Sequence, residues 1–166
     1  MPFKNKNVIL AVDPGFDRVG IAVLAQQKNT SILLFSECVR TNPKDTRGQR
    51  LLLIGSRLRK IIKKWRPGNL AIETLFFNTN ITSAIGVAEA RGVIIYEASL
   101  VGLTVHEYSP QSIKIAVTGY GKADKTQIET MVKKLVNLPQ KTVKRLDDEV
   151  DAIALGITHL ATKKSI

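Results

Sequence analysis

Cysteine is nearly absent from this sequence: 166 residues contain a single Cys, two His, one Trp and only 5% aromatic residues. Cys38 alone forms no intramolecular disulfide, and its place in the alternating segment 31–39 assigns it a small, buried apolar role. A Cys/His zinc site is excluded on the same ground, because there is no second Cys and His106 and His159 lie far apart in the chain. Long apolar runs are missing too. None approaches the roughly 20 residues that a membrane-spanning helix needs, and residues 1–7 carry neither the apolar stretch nor the cleavage site of a signal peptide. A cytoplasmic protein without a membrane partner is expected. Acids are the last scarcity: 14 Asp and Glu stand against 25 Lys and Arg, for a net charge of +11 and a pI of about 10.0. Such a balance points to polyanionic partners, nucleic acid foremost.

The length fits one domain, residues 1–166, with a substantial core. Three strand-like runs open it, at 8–13, 19–25 and 31–39, separated by Asp13-Pro14-Gly15 and by the polar stretch 26–30, and they read as an antiparallel meander. Between 48 and 65 apolar residues recur at helical spacing (Leu51, Ile54, Leu58, Ile61, Ile62, Trp65), with basic residues between them and Pro67-Gly68 as a stop. That basic stripe is either a solvated face or a DNA contact. A short buried strand follows at 70–73, then a helix rich in small residues from Ile81 to about Leu100. A strand at 104–108 leads to a short helix opened by Ser109-Pro110, and the last periodic segments are helices at 125–136 and from about 148. Strands first and alternation afterwards predict an α/β fold, a mixed five-stranded sheet with helices on both faces. No internal repeat or linker divides it.

The few acids are placed where a core has no use for them. Asp13 and Glu73 each end an apolar strand, and Asp148 and Asp151, three apart, share one face of a helix. Each has an ordinary reading alone: Asp-Pro-Gly is a common turn, and acids at a helix start are caps and dipole partners. Glu73 resists that reading, since a charge ending a buried strand requires a partner. Together, four carboxylates on three elements are hard donors suited to magnesium or manganese. Two such ions about 4 Å apart activate water and stabilise the leaving oxygen in phosphodiester hydrolysis. In a chain of this charge, that describes a nuclease. Gly119-Tyr-Gly-Lys122 is not a phosphate loop, because its spacing is too short for that motif and no strand closely precedes it.

Five segments, VDPGFDRVGIAV (12–23), AIETLFFNTN (71–80), SAIGVAEARGVI (83–94), GYGKADKTQIETMVKKLVNLP (119–139) and DEVDAIALGITH (148–159), resemble, in order and spacing, the motifs of the bacterial RuvC Holliday junction resolvases. The resemblance spans nearly the whole chain. It implies a ribonuclease H-like fold and a homodimer that nicks two strands of four-way junction DNA symmetrically, leaving 5′-phosphates, with RuvA and RuvB branch-migration proteins as partners. It implies that Asp13, Glu73, Asp148 and Asp151 are the catalytic and metal-binding set, holding two magnesium ions that manganese replaces. It places Phe76 at the aromatic position that meets distorted bases; Phe77 beside it departs from the usual pattern. It sets Lys114 and Lys125 near the scissile phosphate, with Lys122 adjacent. Asp147 is an extra neighbour read as a helix-start charge, and His159 as structural or exposed. The alternatives are a related nuclease that processes ribosomal RNA, against which the Phe loop and the full acidic pair speak; an inactive nucleic-acid scaffold, which intact acids disfavour; and an actin-like kinase, for which the chain is too short.

Overall fold

The structure, a computed structural model, describes residues 5–28, 30–75, 81–138 and 145–163. In chain order the elements are β1 Asn5–Asp13, β2 Arg18–Gln27, β3 Thr30–Arg40, α1 Arg47–Trp65, β4 Pro67–Glu73, α2 Ile81–Leu100, β5 Thr104–Tyr108, α3 Pro110–Thr118, α4 Lys125–Leu135, β6 Val136–Asn137 and α5 Asp147–Lys163. The strands form one mixed sheet in the order β5-β4-β1-β2-β3-β6. β1 to β3 pair antiparallel, as the meander predicts, while β4 runs parallel to β1 and β5 parallel to β4.

Among the described residues the sheet has six strands rather than the expected five. The sixth comes from the end of the predicted 125–136 helix: Val136 leaves the helix in an extended conformation and pairs with Ser31. Its buried position (2% exposed) served the helical periodicity equally well, but a β-branched residue also suits a strand edge. A second difference concerns the predicted Pro67-Gly68 stop. Helix α1 ends at Trp65 as predicted, but the stop is Arg66, which takes a left-handed conformation (φ 48°) and donates its N–H to the carbonyl of Ile62 (2.8 Å). Pro67 and Gly68 belong to β4, which is therefore longer than 70–73.

Alternation along the strands builds a core on each face of the sheet. Val8, Leu10, Val12, Ile21, Val23, Leu70 and Ile72 face α1 and α2, packing on Ile54, Leu58, Ile61, Ala90, Ile94 and Ala98. Ile9, Ala11, Ala22, Leu24 and Ala71 face the other way, onto Ile113 and Val117 of α3, Ile128 and Val132 of α4, and Ala152, Ile153 and Leu155 of α5. The arginines of α1 are engaged within the fold. Arg57 grips Glu37 through two 2.6 Å hydrogen bonds, Arg59 pairs with Glu97, and Arg47 with Glu89. Arg50 is buried, donating to Thr41 Oγ1 (2.8 Å), pairing with Asp17 and lying 3.9 Å from the centre of the Phe16 ring. These contacts tie down the turn after Asp13. Helix α1 covers the face opposite α5 and its arginines hold the molecule together, while Lys60, Lys63 and Lys64 are exposed.

Candidate active site

Strand register brings the first two acids together. Val12 pairs with Ile72 in the parallel β1/β4 ladder, so the residues that follow, Asp13 and Glu73, end adjacent strands at the same rim. Both share the parity of Ile9, Ala11 and Ala71, which directs them to the α5 face. The end of β4 is fixed from two sides: Arg91 Nε donates to the Glu73 carbonyl (3.2 Å), and Thr74 N–H donates to the Tyr108 carbonyl (2.9 Å).

Helix α5 supplies the second pair because β2 lets it approach. Gly20 is the antiparallel partner of Asp13, and a Cβ there would lie 1.9 Å from the Asp148 carbonyl oxygen. The first turn of α5 therefore rests on bare backbone beside Asp13. Further along, Gly156 meets Leu24 so closely that a Cβ would stand 2.3 Å from its Cδ1. The two glycines set the helix flat on the sheet.

The acids feel one another's charges. Burial raises the Asp13 carboxyl to about 8, with the charges of Glu73, Asp151 and Asp148 adding to the effect and Lys125 opposing it. Glu73 is pushed up to about 7, first by burial, then by Asp151, against Lys114. Asp151 also rises through burial, with Asp148 and Asp147 adding and Lys125 and Lys114 opposing. Near neutral pH such a centre retains protons unless positive charge enters it. Asp148 is arranged differently: its Oδ2 lies 3.3 Å from Arg18 Nε and accepts a weak hydrogen bond from Cys38 Sγ at 3.8 Å. Among the described residues no three acids, His or Cys are gathered closely enough to hold an ion. Asp148 leans to Arg18. The donor set itself, all carboxylate oxygen and deficient in positive charge, fits a hard divalent cation.

A cleft of about 410 Å³ opens beside the acids, lined among others by Glu73, Asp151, Lys114, Lys125 and Asp124. Lys114 is carried by α3 and Lys125 opens α4, whose N-cap is Asp124. Lys122 lies exposed on the preceding turn and is not part of this lining. Asp147, the first residue of α5, is exposed and pairs with Lys125 at 3.4 Å, in keeping with a helix-start charge. Phe76 and Phe77 lie outside the described residues. His159 is fully buried, sharing a 2.8 Å hydrogen bond with Tyr108 Oη, its ring tilted by 58° against that of His106 with centroids 4.6 Å apart, which is a structural placement. Cys38 is only half-buried, at the rim beside Asp148, and so departs from the core role expected of it. Arg18 and Gly20 were invisible as site residues in the sequence. Their signal is the hairpin register, which puts both on the Asp13 side of β2.

The family model described as crossover junction endodeoxyribonuclease RuvC matches residues 9–159. The chain belongs to the RuvC family. It is 41% identical to the RuvC of Halothermothrix orenii, over 92% of this chain and 91% of that one. It is 42% identical to the RuvC of Heliobacterium modesticaldum, over 90% and 91%. The fold agrees: a solved structure of Thermus thermophilus RuvC in complex with Holliday junction substrate superposes with a TM-score of 0.88 at 29% identity, covering 95% of each chain. The ribosomal-RNA alternative finds no support among these RuvC relatives.

Proposed function

We propose that this protein resolves Holliday junctions in DNA recombination and repair, by metal-dependent hydrolysis of one phosphodiester in each of two strands. The observation that carries the proposal is the rim where Asp13, Glu73 and Asp151 meet with raised proton affinities beside Lys114 and Lys125, in a chain of the RuvC family. Asp13, Glu73, Asp148 and Asp151 would hold magnesium, two ions in number, with manganese as a substitute. When bound, the metal supplies an activated water and stabilises the leaving oxygen. The chain's own residues do the rest. Asp13 and Glu73 come from two strand ends and Asp148 and Asp151 from the start of α5, so rigid elements carry all four donors toward one rim. Lys114 and Lys125 draw the phosphate to the acids and offset their repulsion, and Lys122 adds an exposed cation on the approach. Phe76, with Phe77, would stack on bases opened at the junction centre. RuvA and RuvB fit as branch-migration partners, and the cytoplasm as the location; among the described residues no helix is long and apolar enough to cross a membrane.

The test compares a synthetic four-way junction with linear duplex, single strand and structured RNA, in magnesium and then in calcium. Calcium, larger and less strict in geometry, is expected to support junction binding without efficient hydrolysis. Paired nicks across the junction in magnesium alone are the expected result, weakened in Phe76→Ala by about 1–3 kcal/mol of lost stacking per base. Equal cutting of linear duplex, or cleavage confined to RNA, overturns the proposal.

A further inference from the structure

The cations around the acidic rim fall on two sides. Lys114 and Lys125 stand over Glu73, Asp13 and Asp151, and both lower the proton affinities of this group. On the other side, over Asp148, stands Arg18. It precedes Gly20 by two residues on β2 and so shares the face that Gly20 turns toward Asp148. Arg40 is its direct antiparallel partner on β3, so a second guanidinium belongs to the same edge. Cys38 feels both of them as well as Asp148. Slightly farther along β3, Arg145, just ahead of α5, donates from Nε to Ser36 Oγ at 3.4 Å.

The Arg18–Asp148 contact has two properties that suit exchange rather than permanence. It is a single 3.3 Å approach through Nε, not the two-pronged grip that Arg57 makes on Glu37. It is also lopsided, with the Arg18 side chain 52% exposed and that of Asp148 18% exposed, so water screens the pair. A half-exposed arginine engaged only through Nε is equipped to take a phosphate, for which the planar fork gives two parallel hydrogen bonds. Asp148, for its part, cannot give the same oxygen fully to both Arg18 and a divalent cation.

We propose that Arg18 exchanges partners: it holds Asp148 in the metal-free protein and takes a backbone phosphate of the DNA once Asp148 turns to a cation. This rests on the junction-cutting function proposed above. Metal and DNA then reinforce each other, because each removes a competitor of the other, and that coupling is reciprocal. Arg18 is thus a phosphate-binding and positioning residue on the side of the rim opposite Lys114 and Lys125.

Two measurements on Arg18→Ala test it. Calorimetric titration of manganese into the DNA-free protein is expected to show about two- to fivefold tighter binding than wild type, the range given by removing a weak exposed ion pair. Binding of a four-way junction in calcium, followed across sodium chloride concentrations, is expected to weaken several-fold, with the slope of log K against log salt reduced by about one. Arg18→Gln, which keeps most of the stem and removes the charge, is expected to reproduce both changes if Arg18→Ala does not fold, and Arg18→Lys is expected to restore the salt slope. Unchanged or weaker manganese binding, or an unchanged salt slope, overturns the exchange while leaving the resolvase proposal standing. Failure of the wild-type protein to prefer a junction over duplex removes the functional reading, and the exchange with it.

Discussion

Asp13 shows the site's chemistry most directly, because its folded-state carboxyl titrates near 8 against an ordinary value of 3.8. A group whose folded value is raised stabilises the fold fully below its unfolded value and loses that contribution as pH rises through the folded one. The relevant window here runs from about pH 4 to about pH 8. Asp13→Asn removes this dependence. In metal-free protein the variant is expected to gain on wild type as pH rises from 5 to 9, by on the order of a few kcal/mol, read as a widening difference in Tm. Adding manganese at pH 8 is expected to raise the Tm of wild type and much less that of the variant. Parallel pH profiles for the two proteins would show that Asp13 is not the coupled acid described. In cleavage assays, Asp13→Asn, Glu73→Gln and Asp151→Asn are each expected to abolish cutting with junction affinity largely kept, since that affinity comes from Lys and Arg on phosphate. A variant that still cuts at the wild-type rate takes its residue out of the site. Asp13 and Glu73 were legible as candidates in the sequence because a strand-end carboxylate contradicts its apolar neighbours, and Asp151 because it shares a helix face with Asp148. Arg18 was not, because an exposed arginine contradicts nothing until the pairing partner of its strand is known.

Among the elements, the first turn of α5 depends on β2 at Gly20. The Cβ of Gly20→Ala would lie 1.9 Å from the Asp148 carbonyl oxygen, and backbone cannot swing aside as a long side chain does, so the first turn of α5 has to lift. A loss of about 1–3 kcal/mol in chemical denaturation is expected from such overpacking. Cutting is expected to fall further than stability explains, by about a hundredfold, because a 1 Å misplacement of reacting groups has that effect. Gly48→Ala is the control: it lies in the first turn of α1 with nothing within 4 Å of its Cβ, and is expected to be neutral or stabilising by up to about 1 kcal/mol. Equal effects of the two substitutions would mean that Gly20 is not the contact that seats α5. The elements themselves were mostly readable: β5 at 104–108, the Ser109 cap with Pro110 after it, and α2 at 81–100 coincide with the pattern. The end of α4 was not, because periodicity marks Val136 as buried without saying in which conformation. The start of β4 was missed because proline and glycine read as a stop, whereas Arg66 had already turned the chain.

At the scale of the whole molecule, one active site makes one nick, and symmetric resolution of a four-armed substrate requires two related by a two-fold axis. The layer of α1 and α2 is where a second copy is expected to dock. Along α2 and just beyond it, Ile85, Tyr96, Leu100 and Val101 are 50%, 61%, 58% and 41% exposed, and Leu52 on α1 is 66% exposed. Large apolar side chains turned to water in one layer are what an interaction surface is expected to present. Glu89 and Arg91 are tied to Arg47 and Glu107 of the same chain, so the charges of α2 are already balanced internally. This surface lies across the sheet from α5, which leaves both acidic rims open to DNA when two copies join. Sedimentation at micromolar concentration is expected to show a dimer, and the double variant Ile85→Glu, Tyr96→Glu a monomer whose manganese binding is unchanged. With four-way junctions, wild type is expected to yield paired nicks at symmetric positions, and the monomeric variant single nicks at a much lower rate. Only monomer in the wild-type protein, with junction present as well as absent, would rule this assembly out, and a variant that stays dimeric would place the interface elsewhere than on α2.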